Sequence, residues 1–137
     1  MRFEYEIEGG DFAKAGLASS AVKKMLKQLN ISPSIIKRIA VAMYEAEVNI
    51  VAHAYKGIMS AEIDSEKVVL RFEDEGPGIE NIDQAMEEGY STASESVRQM
   101  GFGAGMGLPN IKKNVDEMKI DSVPNKGTTV ELTTFIE

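Results

Sequence analysis

Glu45 and Asn49 stand four residues apart in a stretch of helical periodicity, which puts a carboxylate and an amide on one face, a turn apart. An amide oxygen is a neutral hard ligand that magnesium accepts beside phosphate oxygens and water. A carboxylate next to it is placed to orient or deprotonate a hydroxyl that attacks a γ-phosphate. Taken alone, the pair is explained as readily by two solvated residues at the rim of an amphipathic helix. His53 extends the stripe by one more turn. With no second histidine and no cysteine in the chain, local packing or capping explains it better than metal ligation.

Asp74 closes a stretch of strand character and is followed by Gly76-Pro77-Gly78. A carboxylate at a strand end can accept from the exocyclic amine of adenine, which selects adenine over guanine. Gly76 and Gly78 let backbone approach a flat ring and turn sharply, and Pro77 stiffens the loop. In isolation, an ordinary turn after a strand is the plainer reading.

Glycines alternate at Gly101, Gly103, Gly105 and Gly107, just ahead of a helical pattern near Leu108. Such a run has a large conformational entropy cost and buries no side chains. A phosphate cradle accounts for it, because bare backbone N–H groups and a helix N-terminus can face oxygens. No Gly-Lys-Ser/Thr follows, so this is not a Walker loop, and no strand directly precedes it, so it is not a Rossmann fingerprint. A flexible loop remains the competing explanation. Gly127-Thr128-Thr129 opens the last strand, where a threonine hydroxyl could bond a base or an ordered water, although β-branched residues suit any strand. Arg98 could swing onto phosphate or simply be solvated. The eight methionines are scattered like core filler.

These parts need a frame. The chain has 137 residues, the size of one domain able to bury a core without staples, and it contains no cysteine for disulfides or thiolate sites. A net charge of −7 argues against broad nucleic-acid binding and leaves room for a basic protein partner. It does not preclude ATP, provided magnesium and backbone N–H groups face the phosphates. The acidic, alternating start is unlike a signal peptide, and no apolar run approaches a membrane span, so a cytoplasmic location is expected.

Phe3, Tyr5 and Ile7 alternate with charges and predict a strand, broken by Gly9-Gly10. Asp11 is a candidate cap for a helix through Phe12, Ala15, Ala18, Val22, Leu26 and Leu29, ended by Asn30-Ile31. Ser32 and Pro33 start a second helix that carries Glu45 and Asn49, with Gly57 as its stop. Two strands follow, with Met59, Ala61 and Ile63 on one face and Val68, Leu70 and Phe72 on one face, turning at Ser65-Glu66. A short helix over 82–88, a mobile segment over 90–102, a helix over 108–117, and strands over 119–123 and 128–136 complete the chain. No repeat or linker appears, so 1–137 reads as a single domain. The order favours an α/β two-layer sandwich, a mixed, mostly antiparallel sheet with helices on one face.

In this order and spacing the boxes resemble the Bergerat ATP-binding fold of the GHKL superfamily, shared by gyrase, histidine kinases and mismatch-repair ATPases. Glu45 and Asn49 match its N-box. Asp74, Gly76 and Gly78 match its first glycine box, and Gly103, Gly105 and Gly107, with Leu108 behind them, match its second. Thr128 and Thr129, after Gly127, match its glycine–threonine element. Neither a dimerisation region nor a transducer domain fits in this length. The chain is therefore similar to the stand-alone anti-sigma-factor and switch serine/threonine kinases.

The resemblance implies ATP and magnesium as ligands, with Glu45 as catalytic base, Asn49 as magnesium ligand and 90–102 as a lid. It implies a STAS-type antagonist or scaffold as protein substrate, a sigma factor as a further partner, and a second copy of the chain, since sigma-binding relatives pair as dimers. The glycine run, with Gly101 in addition, is longer than the minimal box. An ATP-gated binding module that sequesters a partner without phosphotransfer is the second expectation, and a bare ATPase the third.

Overall fold

The computed structural model describes residues 1–79, 82, 86 and 107–136. Its elements are β1 (Arg2–Glu8), α1 (Leu17–Gln28), α2 (Pro33–His53), β2 (Lys56–Ile63), β3 (Lys67–Glu75), α3 (Gly107–Lys113), β4 (Glu117–Val123) and β5 (Gly127–Phe135). The strands form one sheet in the order β1-β2-β3-β5-β4, and every pairing among the described residues is antiparallel.

Strand alternation decides which side chains meet the helices. Ile7, Met59, Ala61, Val68, Leu70, Phe72, Val130 and Leu132 point to one face and are buried there. Val22 and Leu26 of α1, Ile39, Met43 and Ile50 of α2, and Ile111 of α3 close over that face. The opposite face presents charged side chains such as Glu4, Arg71 and Lys119 to solvent. The expected two-layer α/β sandwich is therefore the fold, with the helices on one side. No helix among the described residues is long and apolar enough to cross a membrane.

Element boundaries depart from the sequence expectation where tertiary contacts intervene. The first helix begins at Leu17, not near Phe12, because Gly16 sits at φ 94° as its N-cap residue. Asp11 makes no capping hydrogen bond and leads a 3-10 turn over Phe12–Lys14 instead. Asn30, at φ 58°, ends α1 as expected. Pro33 occupies the first turn of α2.

That helix stops at His53 rather than Gly57. Ala54 turns extended, and the Tyr55 N–H donates to the Glu75 carbonyl at 2.8 Å, drawing the chain into the sheet. Gly57 is a strand residue over which Ile50 packs, its methyl carbons 3.0 Å from where a Cβ would stand. The last helix ends at Lys113, four residues before the expected 117, where Asn114 bonds back to Ile111 and Asn110. The helix expected over 82–88 is described only at Ile82 and Met86, whose backbones share a 3.0 Å hydrogen bond. The expected lid over 90–102, Arg98, Gly101, Gly103 and Gly105 lie outside the described residues.

Candidate functional site

Asp74 lies inside β3, on its helix-facing side, one residue from the strand's end. Its register partner on β2 is Gly57, so no side chain stands beside the carboxylate on that strand. On the other side β5 begins with Gly127, and the Thr128 N–H donates to Asp74 Oδ1 at 3.1 Å. Asp74 Oδ2 accepts no hydrogen bond among the described residues. Burial raises the Asp74 carboxyl above its ordinary value, and the Thr128 N–H partly offsets this. The result is a half-buried carboxylate with one oxygen fixed and one that meets no donor among the described residues, an arrangement that suits the amine of a planar base.

The glycines around Asp74 have separate reasons. A Cβ on Gly127 would stand 2.0 Å from the Asp74 carbonyl oxygen, so only glycine lets β5 come this close. Gly78 takes φ 73°, in the left-handed region where side chains are disfavoured. Gly76 is buried beneath Ala54, and its N–H donates to the Lys126 carbonyl at 3.0 Å. Pro77 accepts from the Asn125 N–H at 2.7 Å. The first glycine box is therefore stitched to the β4–β5 turn.

Two threonines expected at the site part company. Thr128 is buried beside Asp74, and its hydroxyl shares a 2.9 Å hydrogen bond with Ser122. Thr129 pairs in register with Glu73 and Asp121, on the open face of the sheet. The two-residue period of a strand makes this unavoidable, so Thr129 is not brought to the site.

Helix α2 passes above this strand end. Ile50 lies over Gly57, the neighbour of Asp74, and Asn49 precedes it. Glu45 and Asn49 are both half-buried, and neither side chain makes a hydrogen bond or ion pair with the described residues. His53, one turn on, is half-buried, and burial holds its imidazole below the usual range. Helix α3 packs against α2 and opens at Gly107, and Leu108 places its side chain in the core, so what Leu108 can offer a phosphate is backbone.

Two residues that sequence reasoning passed over fix the surrounding frame. Ser122 Oγ accepts from the Ile79 N–H at 2.7 Å and donates to the Gly127 carbonyl at 3.2 Å, besides its bond to Thr128. Its signal is position, a hydroxyl on the inward stripe Met118, Ile120, Ser122. Glu47, 2% exposed, is the other. Its Oε2 accepts from the N–H groups of Gly16 (2.9 Å) and Ala18 (3.4 Å), and its Oε1 from the Ser19 N–H (2.8 Å) and hydroxyl (2.6 Å). The carboxylate of one helix thereby caps the N-terminus of another. Its signal was a charge on the apolar face between Met43 and Ile50.

The family of histidine kinase-like ATPase domains matches residues 11–134. The structure of the RsbU and RsbW domains of Rv1364c from Mycobacterium tuberculosis shares the fold, with a TM-score of 0.66 at 18% identity, over 98% of this chain and 32% of that longer one. The fold is thus that of a Bergerat-type nucleotide-binding domain. An anti-sigma F factor of Caldanaerobacter subterraneus subsp. tengcongensis is 33% identical over 141 residues, covering 99% of this chain and 92% of its own. The serine/threonine-protein kinase RsbT of Bacillus subtilis is 34% identical over 113 residues, covering 80% of this chain and 79% of its own. The chain belongs to the histidine kinase-like ATPase family, in the group that holds these anti-sigma factors and this kinase.

Proposed function

We propose that this protein is an ATP-dependent serine/threonine kinase of the anti-sigma-factor type, which phosphorylates a STAS-type antagonist or scaffold and so switches partners in transcription control. The observation that carries the proposal is the Asp74 strand end, with one carboxylate oxygen held by Thr128, beneath a helix whose Glu45 and Asn49 side chains, like the other Asp74 oxygen, bond no described residue. Kinship with a named kinase and with named anti-sigma factors supports the same reading.

In this reading Asp74 accepts from the adenine amine, and Gly76 and Gly78 lie along the base. Gly103, Gly105, Gly107 and the Leu108 backbone cradle the phosphates, and Thr128 steadies Asp74. The Asn49 side-chain oxygen would hold the magnesium ion, which would supply charge neutralisation on the transferred group. Glu45 takes the proton from a partner's serine or threonine hydroxyl as its oxygen bonds to the γ-phosphorus and the bond to ADP breaks. The work of the protein is cytoplasmic, and β1, an edge strand of the sheet, is a candidate contact for a second copy.

Incubation with γ-labelled ATP and a cognate antagonist domain tests the proposal. Label on a partner serine or threonine supports it. No label, while an established kinase–antagonist pair works in the same buffer, overturns it. Glu45→Ala is expected to bind ATP as the wild type does and to lose transfer, and normal transfer would remove Glu45 as base. Most named relatives of high similarity are called anti-sigma factors alone, which favours sequestration as the second reading. ATP-dependent partner binding without any transfer would support that one.

A further inference from the structure

Charge is unevenly distributed on this acidic chain. Carboxylates crowd the open face of the sheet, whereas Lys23 and Lys27 on α1 face Lys37 on α2 across a groove of about 740 Å³. The floor of the groove is aliphatic, formed by Ile31, Ile36 and Val41 with their neighbours. Ile36 is buried and belongs to the core, while Ile31 and Val41 are half-buried. None of the three lysines makes an ion pair with a described residue, although Lys14, Arg38, Lys56 and Arg71 do. Lys23 and Lys27 are also one turn apart on α1, a like-charge spacing that destabilises a helix. A protein of net charge −7 thus keeps cations that no described carboxylate pairs with around an apolar trough.

We infer that this groove docks an acidic amphipathic helix of a protein partner. A helix laid between α1 and α2 would put one apolar stripe on Ile31, Ile36 and Val41, and flanking carboxylates would meet lysines on both walls. A small anion is a poorer match, because the floor is hydrocarbon and the lysines are exposed at the rims. A second copy of the chain is poorer too, since its carboxylates crowd a flat sheet face that cannot enter a trough between helices. The groove occupies the first half of α2. Glu45 follows Val41 by one turn, about 6 Å along the axis and on the same stripe of α2. The inference stands apart from the kinase reading, and its test reads binding alone.

The probe is a fluorescein-labelled helical peptide of about 18 residues, with leucines on one stripe and glutamates flanking it, beside a scrambled peptide of the same composition. Fluorescence anisotropy is read for the wild type, the triple variant Lys23→Glu/Lys27→Glu/Lys37→Glu and the milder Lys23→Ala/Lys27→Ala/Lys37→Ala. Circular dichroism melts confirm that the variants fold. The expected result is binding of the patterned peptide, weakened about tenfold or more by either triple variant and weakened by salt, with amide NMR shifts centred on Lys27, Ile31 and Val41. Absence of binding, equal binding of the scrambled peptide, or equal binding by the triple variants overturns the inference. Displacement of the peptide by millimolar inorganic phosphate would assign the groove to small anions. Self-association in the ultracentrifuge that the triple variants abolish would assign it to a second copy, and either result overturns a partner helix.

Discussion

Glu47 should be the residue on which the fold of the helical layer most depends, and its removal can be worked through from its contacts. Four donors converge on its carboxylate, three backbone N–H groups at the start of α1 and the Ser19 hydroxyl, at 2.6 to 3.4 Å. Glu47→Ala leaves those donors buried with no acceptor. Each orphaned donor costs about 1–3 kcal/mol, and water entering the vacated space recovers part of that, so a loss of roughly 4 kcal/mol is expected. That is a large fraction of the about 5–15 kcal/mol that holds a domain together. With a urea slope of about 2 kcal/mol/M, the unfolding midpoint should fall by roughly 2 M.

Glu47→Gln is the sharper variant. Its single amide oxygen can serve the Gly16 and Ala18 N–H groups, or the Ser19 pair, but not both. With the oxygen on the first pair, the amide NH2 can donate to the Ser19 hydroxyl, and the Ser19 N–H is left unpaired. A loss of about 2 kcal/mol follows, with hydrogen exchange accelerated first at Ser19. Glu45→Gln, two residues away, should change stability by no more than about 0.5 kcal/mol, because its side chain bonds no described residue. Urea titrations of the three variants decide the matter. A Glu47→Ala midpoint within about 0.5 M of wild type, at unchanged slope, would refute the capping argument.

Asp74→Asn should separate binding from stability. The one acceptor of asparagine is taken by the Thr128 N–H, so in the proposed site an NH2 would face the adenine amine, and calorimetry with ADP should show affinity down about 100-fold. The folded carboxyl is raised above 3.8, so the native state favours the proton. That contribution to stability is full below 3.8 and is lost as pH rises through the folded value, so asparagine should leave neutral-pH stability unchanged or higher. A large loss of stability with affinity intact would contradict both parts. His53 runs the other way. Its folded value lies below 6.5, so stability is full above 6.5 and falls as pH drops toward the folded value, and His53→Gln should flatten urea midpoints across that window. Gly127→Ala drives a methyl into the Asp74 carbonyl oxygen and should cost roughly 2–4 kcal/mol in thermal or urea unfolding, together with nucleotide affinity.

Local chemistry made much of this protein legible before any tertiary contact was known. The alternation of Met59, Ala61 and Ile63 against Val68, Leu70 and Phe72 marks two strands and the face they bury. Ser32-Pro33 marks the start of α2, and the spacing of Glu45 and Asn49 puts them on one stripe. Asp74 with its glycines, and the glycine ahead of Thr128, are local patterns too, because a tight turn or close approach demands particular residues on the spot. What the chain could not announce locally was decided by partners far along it. The start of α1 waits on Glu47, about thirty residues on, because a helix N-terminus will take its acceptor from wherever one is supplied. The end of α2 is set by the Glu75 carbonyl that captures Tyr55, and Gly57 is needed for Ile50 above it rather than as a stop. Thr128 and Thr129 look equivalent in sequence, and only strand pairing sends one to Asp74 and the other to the open face. Periodicity is a property of neighbouring residues, whereas caps, stops and faces depend on which distant group arrives to satisfy a donor or fill a space.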